Sequence, residues 1–348
     1  MSFFDNFFED IGIDLGTANC LIYVKDKGVL IDEPSVAALN TKTNQILAVG
    51  HEAKKMLGRT PPHINVIRPL VGGVISDFEM TREMIHSFLK KLNEQNIGRF
   101  GFRKAILSIP NNLTEVERKS VEDAALSAGC SKVFLIESPV AAALGTGLLI
   151  EEPQASLIVD IGGGTTDIAV ISMSGIVVSK TLKIAGDRIS EEIIRFMRDE
   201  FKLIIGDLTA ENIKISVGSA LPLDERLEIA VRGRDLTSGL PKEIIIKNSQ
   251  IRIVLARLLK TIVESIAEVI EETPPELVGD MLDRGIFLCG GGALIRGLDE
   301  AIKKEIGVET RIVEDPLTCV IRGIGKIVDD FERYKNVLNL SSPTQINL

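Results

Sequence analysis

The chain has 348 residues, of which 45% are hydrophobic, and a formal net charge of −9 at pH 7. A chain of this length can bury more than one core, so two domains of ordinary size are expected. The acidic balance argues against nucleic acid as a partner, because a phosphate backbone binds a concentrated basic face. The cysteines are scattered and typical of reduced core thiols in a cytoplasmic protein, not of a disulfide framework or zinc site: Cys20, Cys130, Cys289 and Cys319.

The first ten residues, MSFFDNFFED, predict a very short amphipathic segment. Phe3, Phe4, Phe7 and Phe8 recur at helical spacing among acidic and amide side chains. The segment lacks the basic start and long apolar run of a secretory signal. No apolar run in the sequence approaches the ~18 residues of a membrane span. We therefore expect a soluble protein whose first residues either touch a membrane surface or pack on the protein itself.

The next elements predict a β-meander followed by an insertion. IGIDLGTANCLIYV, residues 11 to 24, predicts two strands joined by a turn, and KDKGVLI predicts a third strand. Residues 33 to 77 are richer in turns and charges and are expected to form a small inserted subdomain. TEVERKSVEDAALSAG then predicts a helix, since Thr114 and Glu117 have capping-box spacing and Gly129 ends it.

The strand KVFLI leads into FLIESPVAAALG, residues 134 to 145, where Glu137, Ser138 and Pro139 precede a helix of small residues. Serine at the N-cap followed by proline at the first helical position is a well-formed helix start. The junction also offers a carboxylate and a hydroxyl group for chemistry. The local pattern alone leaves both interpretations open.

The second half repeats the plan of the first. LIVDIGGGTTDIAVIS, residues 157 to 172, matches residues 11 to 24, and SMSGIVVS supplies the third strand. We interpret this as an internal duplication with one β-meander opening each lobe. Residues 187 to 250 are expected to form a second inserted subdomain that starts with a helix at residues 187 to 201.

The last part of the chain predicts a long helix, a glycine turn and a tail. An amphipathic helix over about residues 249 to 272 ends before Pro274. RGIFLCGGGALIRGL then predicts a strand, a glycine turn and a helix. Residues 336 to 348 are polar and are expected to be a mobile tail.

Three glycine turns follow predicted strands, at residues 14 to 17, 162 to 166 and 290 to 292. Glycine lets backbone N–H groups approach an anion and threonine adds hydroxyl donors, so such turns suit a polyphosphate. Asp14 and Asp160 at the strand ends could hold the hydrated Mg²⁺ that neutralises the phosphates. One such turn would be explained by local geometry, but three at strand ends favour a nucleotide site. The sequence has neither a Walker loop nor a G-x-G-x-x-G helix start, so a different phosphate grip is implied.

The motifs DLGTAN, FLIESPVAAALG, VDIGGGTTDIAV, AGDRISEEII, TAENIKISVG and FLCGGGALIRGL resemble the phosphate and adenosine motifs of the actin and sugar-kinase superfamily. With EPSVAAL, INVIRPL, TPPEL and GRDLTSGLP, the chain resembles more narrowly the MreB family of bacterial actins, from about residue 10 to residue 330. That resemblance implies an α/β, actin-like fold with two lobes, each a mixed sheet flanked by helices. Lobe I would comprise residues 11 to 149 and about 316 to 335, and lobe II residues 150 to 315, with the nucleotide between them.

The resemblance also implies ATP or ADP with Mg²⁺ as ligands. The residues that it assigns to nucleotide binding are Asp14, Gly16, Thr17, Ala18, Asn19, Asp160, Gly162, Gly163, Gly164, Thr165, Gly186, Asp187, Glu211, Lys214, Gly290, Gly291, Gly292 and Ala293. Asp14 and Asp160 would face the Mg²⁺ shell through water, and Thr165 and position 138 would belong to the catalytic group. Without the resemblance, Glu211 and Lys214 would be an ordinary solvated ion pair.

Position 138 departs from the family pattern, which implies a water-positioning Glu immediately before the proline. Glu137 should not replace it, since adjacent side chains at a strand end point to opposite sides. Serine cannot accept a proton as a carboxylate does, and losing a positioned base costs ~10² to 10⁴ in rate. We therefore predict that nucleotide binding survives and that hydrolysis is slow. Asp167 and Ser190 are smaller departures, at positions where relatives often carry Glu and an acidic residue.

Two segments are candidates for weak contact with the inner face of the cell membrane. One contains the four N-terminal phenylalanines, and the other is NIGRFGFRK, in which Ile97, Phe100 and Phe102 alternate with basic side chains. Each could instead pack on the protein's own surface. In a polymer that repeats them, weak contacts would become strong by avidity.

The predicted function is a nucleotide-binding filament of the bacterial cytoskeleton, with paired protofilaments, that serves cell shape or cell-body mechanics. Other cell-shape proteins are expected partners. One alternative is a small-molecule kinase of the same superfamily, which would need a catalytic Asp over a substrate hydroxyl. The other is a chaperone-type ATPase, which would carry a further substrate-binding domain.

Overall fold

The computed structural model describes residues 8 to 98 and 101 to 340. The strands are β1 Glu9–Leu15, β2 Asn19–Val24, β3 Gly28–Pro34, β4 Ala37–Asn40, β5 Gln45–Val49, β6 Ile64–Ile67, β7 Leu70–Val71, β8 Val74–Ile75, β9 Phe102–Ile109, β10 Cys130–Glu137, β11 Ser156–Ile161, β12 Thr166–Ser172, β13 Gly175–Leu182, β14 Leu203–Ile204, β15 Glu228–Asp235, β16 Pro241–Lys247, β17 Ile286–Cys289 and β18 Thr310–Ile312. The helices are α1 His51–Met56, α2 Phe78–Glu94, α3 Glu115–Ala128, α4 Ser138–Gly145, α5 Gly186–Phe201, α6 Asp207–Val217, α7 Asn248–Glu272, α8 Pro275–Arg284, α9 Leu298–Ile306, α10 Cys319–Asp329 and α11 Phe331–Leu340, with a 3-10 turn at Gly291–Leu294.

Two five-stranded sheets with the same strand order form the centres of the two lobes. The order is β10-β9-β1-β2-β3 in lobe I and β18-β17-β11-β12-β13 in lobe II. In each sheet three consecutive strands form an antiparallel meander, and two later strands add in parallel beside the first strand. The identical order confirms that the second half repeats the plan of the first, and both sheets are mixed, as predicted.

Each predicted insertion carries a small sheet of its own. Strands β5, β4 and β6 form a three-stranded sheet within residues 33 to 77, and α1 packs on it through Ala53. Strands β14, β15 and β16 form the corresponding sheet within residues 187 to 250. The β7–β8 hairpin contacts the turn after β1, and the start of α5 contacts the turn after β11.

Helices α4 and α10 pack together in a core that both large sheets share. A methyl group on Gly145 of α4 would lie 1.9 Å from the carbonyl oxygen of Cys319, and one on Gly323 of α10 would lie 1.7 Å from that of Ala141. The two helix backbones are therefore in direct contact. This helix pair joins the lobes at the floor of the cleft.

Three helices that the sequence predicts from local motifs, α3, α5 and α7, lie at their predicted positions. Helix α3 has the predicted capping box, in which the Glu117 N–H donates to Thr114 Oγ1 (3.3 Å) and Thr114 N–H donates to Glu117 Oε2 (2.8 Å). Helices α5 and α7 begin within one residue of their predicted starts. No helix in residues 8 to 98 or 101 to 340 is long and apolar enough to cross a membrane.

Two predicted boundaries at the chain ends are wrong. Residues 9 and 10, assigned to the N-terminal segment, belong to β1, where Asp10 pairs with Arg103 at 2.9 Å. Residues 336 to 340, assigned to a mobile tail, belong to α11, and Val337 and Leu338 are each only 4% exposed. These two apolar side chains pack into the core around α10, and their burial explains why the helix continues.

Candidate functional site

The first two glycine turns face each other across the cleft between the lobes. One follows β1 and the other follows β11. A methyl group on Gly163 would lie 2.8 Å from Ala18 Cβ, and one on Gly164 would lie 2.5 Å from Thr17 Oγ1. Any side chain at these glycines would fill the space between the turns. The structure therefore brings these two predicted phosphate turns together.

The third glycine turn lies beside the second. It follows β17, which pairs in parallel with β11, so both turns leave the same edge of the sheet. A methyl group on Gly290 would lie 2.5 Å from Asp160 Oδ1, and one on Gly292 would lie 2.1 Å from Ile161 Cγ2. Of the predicted residues 290 to 293, Gly290 is thus adjacent to Asp160 and Gly292 to Ile161.

The start of α5 is tied to the second turn by backbone hydrogen bonds. The Gly186 N–H donates to the carbonyl oxygen of Gly162 (3.1 Å), and the Asp187 N–H donates to that of Gly163 (2.8 Å). Lys214 Nζ, from α6, donates to the Gly186 carbonyl oxygen (3.0 Å) and pairs with Glu211 at 2.6 Å. The predicted residues of α5 and α6 therefore lie at the same cleft as the turns.

Three carboxyl groups are concentrated at the turns. Burial raises the pKa of Asp14 to about 6, although a hydrogen bond from Ser108 Oγ (2.6 Å) acts in the opposite direction. Burial, assisted by the charges of Asp167 and Asp14, raises the pKa of Asp160 well above its usual range. Burial also raises the pKa of Asp167. A cation among these groups would restore their charged forms.

The donor set fits a hydrated Mg²⁺ that is held mainly through phosphates. Such an ion uses one or two carboxylates and keeps several waters. Within the two described stretches of chain, no three His, Cys, Asp or Glu side chains converge as direct ligands of a metal. Asp14 and Asp160, partly open to the cleft, match the indirect type of site.

Asp167 links the second turn to lobe I, a role that the sequence did not reveal. Its carboxylate accepts hydrogen bonds from Thr165 Oγ1 (3.0 Å), Thr181 Oγ1 (2.5 Å) and the Asn111 N–H (3.4 Å). Asn111 lies between β9 and α3 of lobe I and also donates through Nδ2 to Ser179. Asp167 is only 2% exposed, so it stabilises the contact between lobes from below the turn.

The tip of the β7–β8 hairpin enters the site, which sequence reasoning also missed. The Gly73 N–H donates to Thr17 Oγ1 at 3.0 Å. Methyl groups on Gly164 and Gly73 would lie 3.0 Å from Gly72 Cα and 2.9 Å from Thr165 Cγ2, respectively. The hairpin thus contacts both phosphate turns. The paired glycines in VGGV were the available signal.

Comparisons with known proteins agree with this geometry. The family model described as MreB/Mbl protein matches residues 8 to 336. This chain belongs to the MreB/Mbl family. The cell shape-determining protein Mbl of Bacillus subtilis is 46% identical over 327 residues, covering 94% of this chain and 98% of the relative. The cell shape-determining protein MreB of Escherichia coli is 46% identical over 332 residues, covering 94% and 95%.

Solved structures confirm the predicted actin-like fold of this MreB/Mbl protein. MreB5 of Spiroplasma citri bound to ADP has a TM-score of 0.89 and 39% identity, covering 95% of this chain and 99% of that one. The MamK double helical filament has a TM-score of 0.78 at 22% identity, covering 92% of this chain and 99% of that one. The second likeness supports the fold alone.

In this MreB/Mbl protein, Ser138 is not the N-cap that the sequence predicted. Glu137 holds the N-cap position with an extended backbone, and Ser138 and Pro139 are the first two helical residues of α4. The Ser138 hydroxyl donates to the carbonyl oxygen of Ile109 (3.1 Å), on the neighbouring strand. The Glu137 carboxylate pairs with Arg118 at 3.0 Å and is 5% exposed. Glu137 is therefore held by α3, in keeping with its predicted structural role.

The described residues of the two candidate membrane segments contradict one predicted contact residue, Phe102. Phe8 is 41% exposed, and the Glu9 N–H donates to the Gly101 carbonyl oxygen at 3.3 Å. Ile97 is half-buried against the lobe I core. Phe102 is 2% exposed, because it opens β9 and its ring packs inward, so it cannot contact a membrane. Phe3, Phe4, Phe7 and Phe100 lie outside the described residues.

Proposed function

We propose that this member of the MreB/Mbl family binds an adenine nucleotide with Mg²⁺ in the cleft and assembles into filaments that serve cell shape or cell-body mechanics. The observation that supports this proposal most strongly is the convergence of glycine turns from both lobes near three carboxyl groups whose pKa values are raised. The relatives support it: Mbl and MreB are cell shape-determining proteins, and MreB5 of Spiroplasma citri is bound to ADP in one structure and to AMPPNP in another.

Different residues at the cleft would bind the phosphates, the Mg²⁺ ion and the nucleoside. Backbone N–H groups of residues 16 to 19 and 163 to 165, together with the Thr17 hydroxyl, would bind the phosphates. Asp14 and Asp160 would hold the hydrated Mg²⁺, which neutralises phosphate charge when bound. Glu211, Lys214 and residues 290 to 293 would contact the nucleoside. Gly186 and Asp187 would fix the second turn through their N–H groups.

We infer that hydrolysis is slow. The Ser138 hydroxyl is engaged by the Ile109 carbonyl oxygen and cannot serve as a carboxylate base. Glu137 is engaged by Arg118. Asp167 is engaged by hydroxyl and N–H donors on both of its oxygens. Binding without fast turnover would leave the nucleotide to act by favouring the polymer-competent closure of the lobes.

Phosphate release and sedimentation of wild type and Ser138→Glu, measured in parallel with ATP and Mg²⁺, test both parts. We expect the variant to release phosphate ~10²-fold faster or more, since it regains a positioned carboxylate. Ser138→Ala is the matched control and should be as slow as wild type. Equal rates in wild type and Ser138→Glu would contradict slow hydrolysis. Failure of wild type to sediment with ATP or AMPPNP would contradict the filament.

We further propose that the filament lies at the cytoplasmic face of the cell membrane and touches it weakly. The exposed Phe8 and the backbone hydrogen bond from the Glu9 N–H to the Gly101 carbonyl oxygen support this, because one residue from each candidate region lies beside the other. Together the two segments would form one apolar contact region on each subunit. Other cell-shape proteins would bind to the assembled filament.

A further inference from the structure

Arg68 and Asp187 form an ion pair across the mouth of the cleft. Arg68 follows β6 in lobe I, and Asp187 lies in the first turn of α5 in lobe II. Arg68 Nη1 and Asp187 Oδ1 are 2.7 Å apart, and the two side chains are 34% and 33% exposed. The contact is a further link between the lobes, made by residues outside the core around α4 and α10.

On the lobe II side, the ion pair is connected to the second phosphate turn. The Asp187 N–H donates to the Gly163 carbonyl oxygen at 2.8 Å. Asp187, the ion-pair partner of Arg68, is therefore hydrogen-bonded to the second phosphate turn. Movement of α5 away from Arg68 would pull on that turn.

On the lobe I side, the ion pair is connected to the first phosphate turn. The Pro69 carbonyl oxygen, next to Arg68, accepts hydrogen bonds from the N–H groups of Ser76 (2.9 Å) and Asp77 (3.2 Å). These bonds close residues 69 to 77 into one hairpin, whose tip donates from Gly73 to Thr17. Arg68 is thus at the base of the hairpin that contacts the turns.

We propose that Arg68 is a positioning residue for nucleotide binding: its ion pair with Asp187 holds the cleft closed over the phosphates and slows nucleotide release. The inference rests on the proposed function, because it takes the cleft to be the nucleotide site. Opening the lobes about α4 and α10 would separate the two charges and leave the floor intact. The ion pair therefore acts on closure and not on folding of either lobe.

The predicted effect is modest and depends on salt. A half-exposed ion pair changes an equilibrium by about two- to fivefold. We expect Arg68→Ala to speed dissociation of a fluorescent N-methylanthraniloyl ATP with Mg²⁺ by that factor at low salt, in a chase experiment. Because the Debye length falls to about 3 Å at 1 M salt, the difference from wild type should vanish there. Arg68→Lys, which keeps the charge, should recover most of the wild-type rate.

A double-mutant cycle and a neighbouring control make the test specific. Asp187→Asn alone removes the partner charge, so the double variant should release nucleotide no faster than the faster single variant. Arg188→Ala is the control, since Arg188 is 40% exposed and pairs within α5 with Glu191 and Glu192. It should release nucleotide at the wild-type rate.

Each outcome decides one of the two proposals. If wild type does not bind the ATP analogue, the proposed function fails. If wild type binds it and Arg68→Ala releases it at the wild-type rate, or if the effects of the two single substitutions multiply in the double variant, the inference is overturned.

Discussion

At the scale of single residues, the site depends on carboxyl groups that the protein alone leaves poorly solvated. Burial raises the pKa of Asp14 from 3.8 to about 6, so the folded, nucleotide-free protein binds its proton more tightly than the unfolded chain does. The free energy of unfolding should therefore fall as pH rises between about 4 and 6. In the folded protein the charged form that would hold Mg²⁺ is gained as pH rises through this pKa of about 6, between about pH 5 and pH 7.

We therefore expect Mg²⁺-dependent affinity for a fluorescent ATP to be about tenfold weaker, or more, at pH 5 than at pH 7, because Asp14, with a pKa near 6, must ionise and the raised pKa of Asp160 acts in the same direction. Titration of the nucleotide itself also contributes, so Asp14→Asn is the control. That variant should bind more weakly at pH 7 and depend less on pH. Identical pH profiles for wild type and Asp14→Asn would show that Asp14 does not control binding.

At the scale of elements, the contact between α4 and α10 has no room for a side chain. A methyl group on Gly145 would lie 1.9 Å from the Cys319 carbonyl oxygen, so Gly145→Ala forces the helices apart. We expect a loss of about 1 to 3 kcal/mol in the free energy of unfolding, measured with urea. Gly279→Ala in α8 is the control, since no atom outside its own turn of helix lies within 4 Å of its added methyl group. It should be neutral or stabilising, and equal stability of both variants would contradict the close packing.

Local signals explain which elements the sequence predicts well. The capping box at Thr114, the proline after α7 and the repeated meander are written within a few neighbouring residues, so α3, α7 and the two sheets were predictable. The direction of Phe102 and the continuation of α11 depend on distant packing partners and were predicted wrongly. The same contrast between local and distant features applies within the site. The glycine turns are local motifs and were visible in the sequence, whereas the Arg68–Asp187 pair joins residues 119 positions apart and had no local signal.

At the scale of the whole molecule, the filament should convert weak membrane contacts into stable attachment. Full burial of a phenylalanine is worth about 1.5 to 3 kcal/mol, and Phe8 is already partly covered by the protein. One subunit should therefore bind a lipid surface poorly. Many subunits in one polymer share the cost of association, so their contacts add by avidity.

We expect filaments of Phe8→Ser to co-sediment with vesicles of phosphatidylethanolamine and phosphatidylglycerol several-fold less than wild-type filaments, because each subunit loses apolar contact area. Pelleting without vesicles should be unchanged, since Phe8 lies beside Gly101 and outside the cleft.

Met173→Ser is the matched control. Met173 lies at a turn in lobe II and its side chain is 71% exposed, so this variant also loses a surface apolar group but should bind vesicles as wild type does. Acidic residues flank the N-terminal phenylalanines, so wild-type binding should change little with salt. Equal vesicle binding by the Phe8 and Met173 variants would mean that the N-terminal segment does not hold the filament at the membrane.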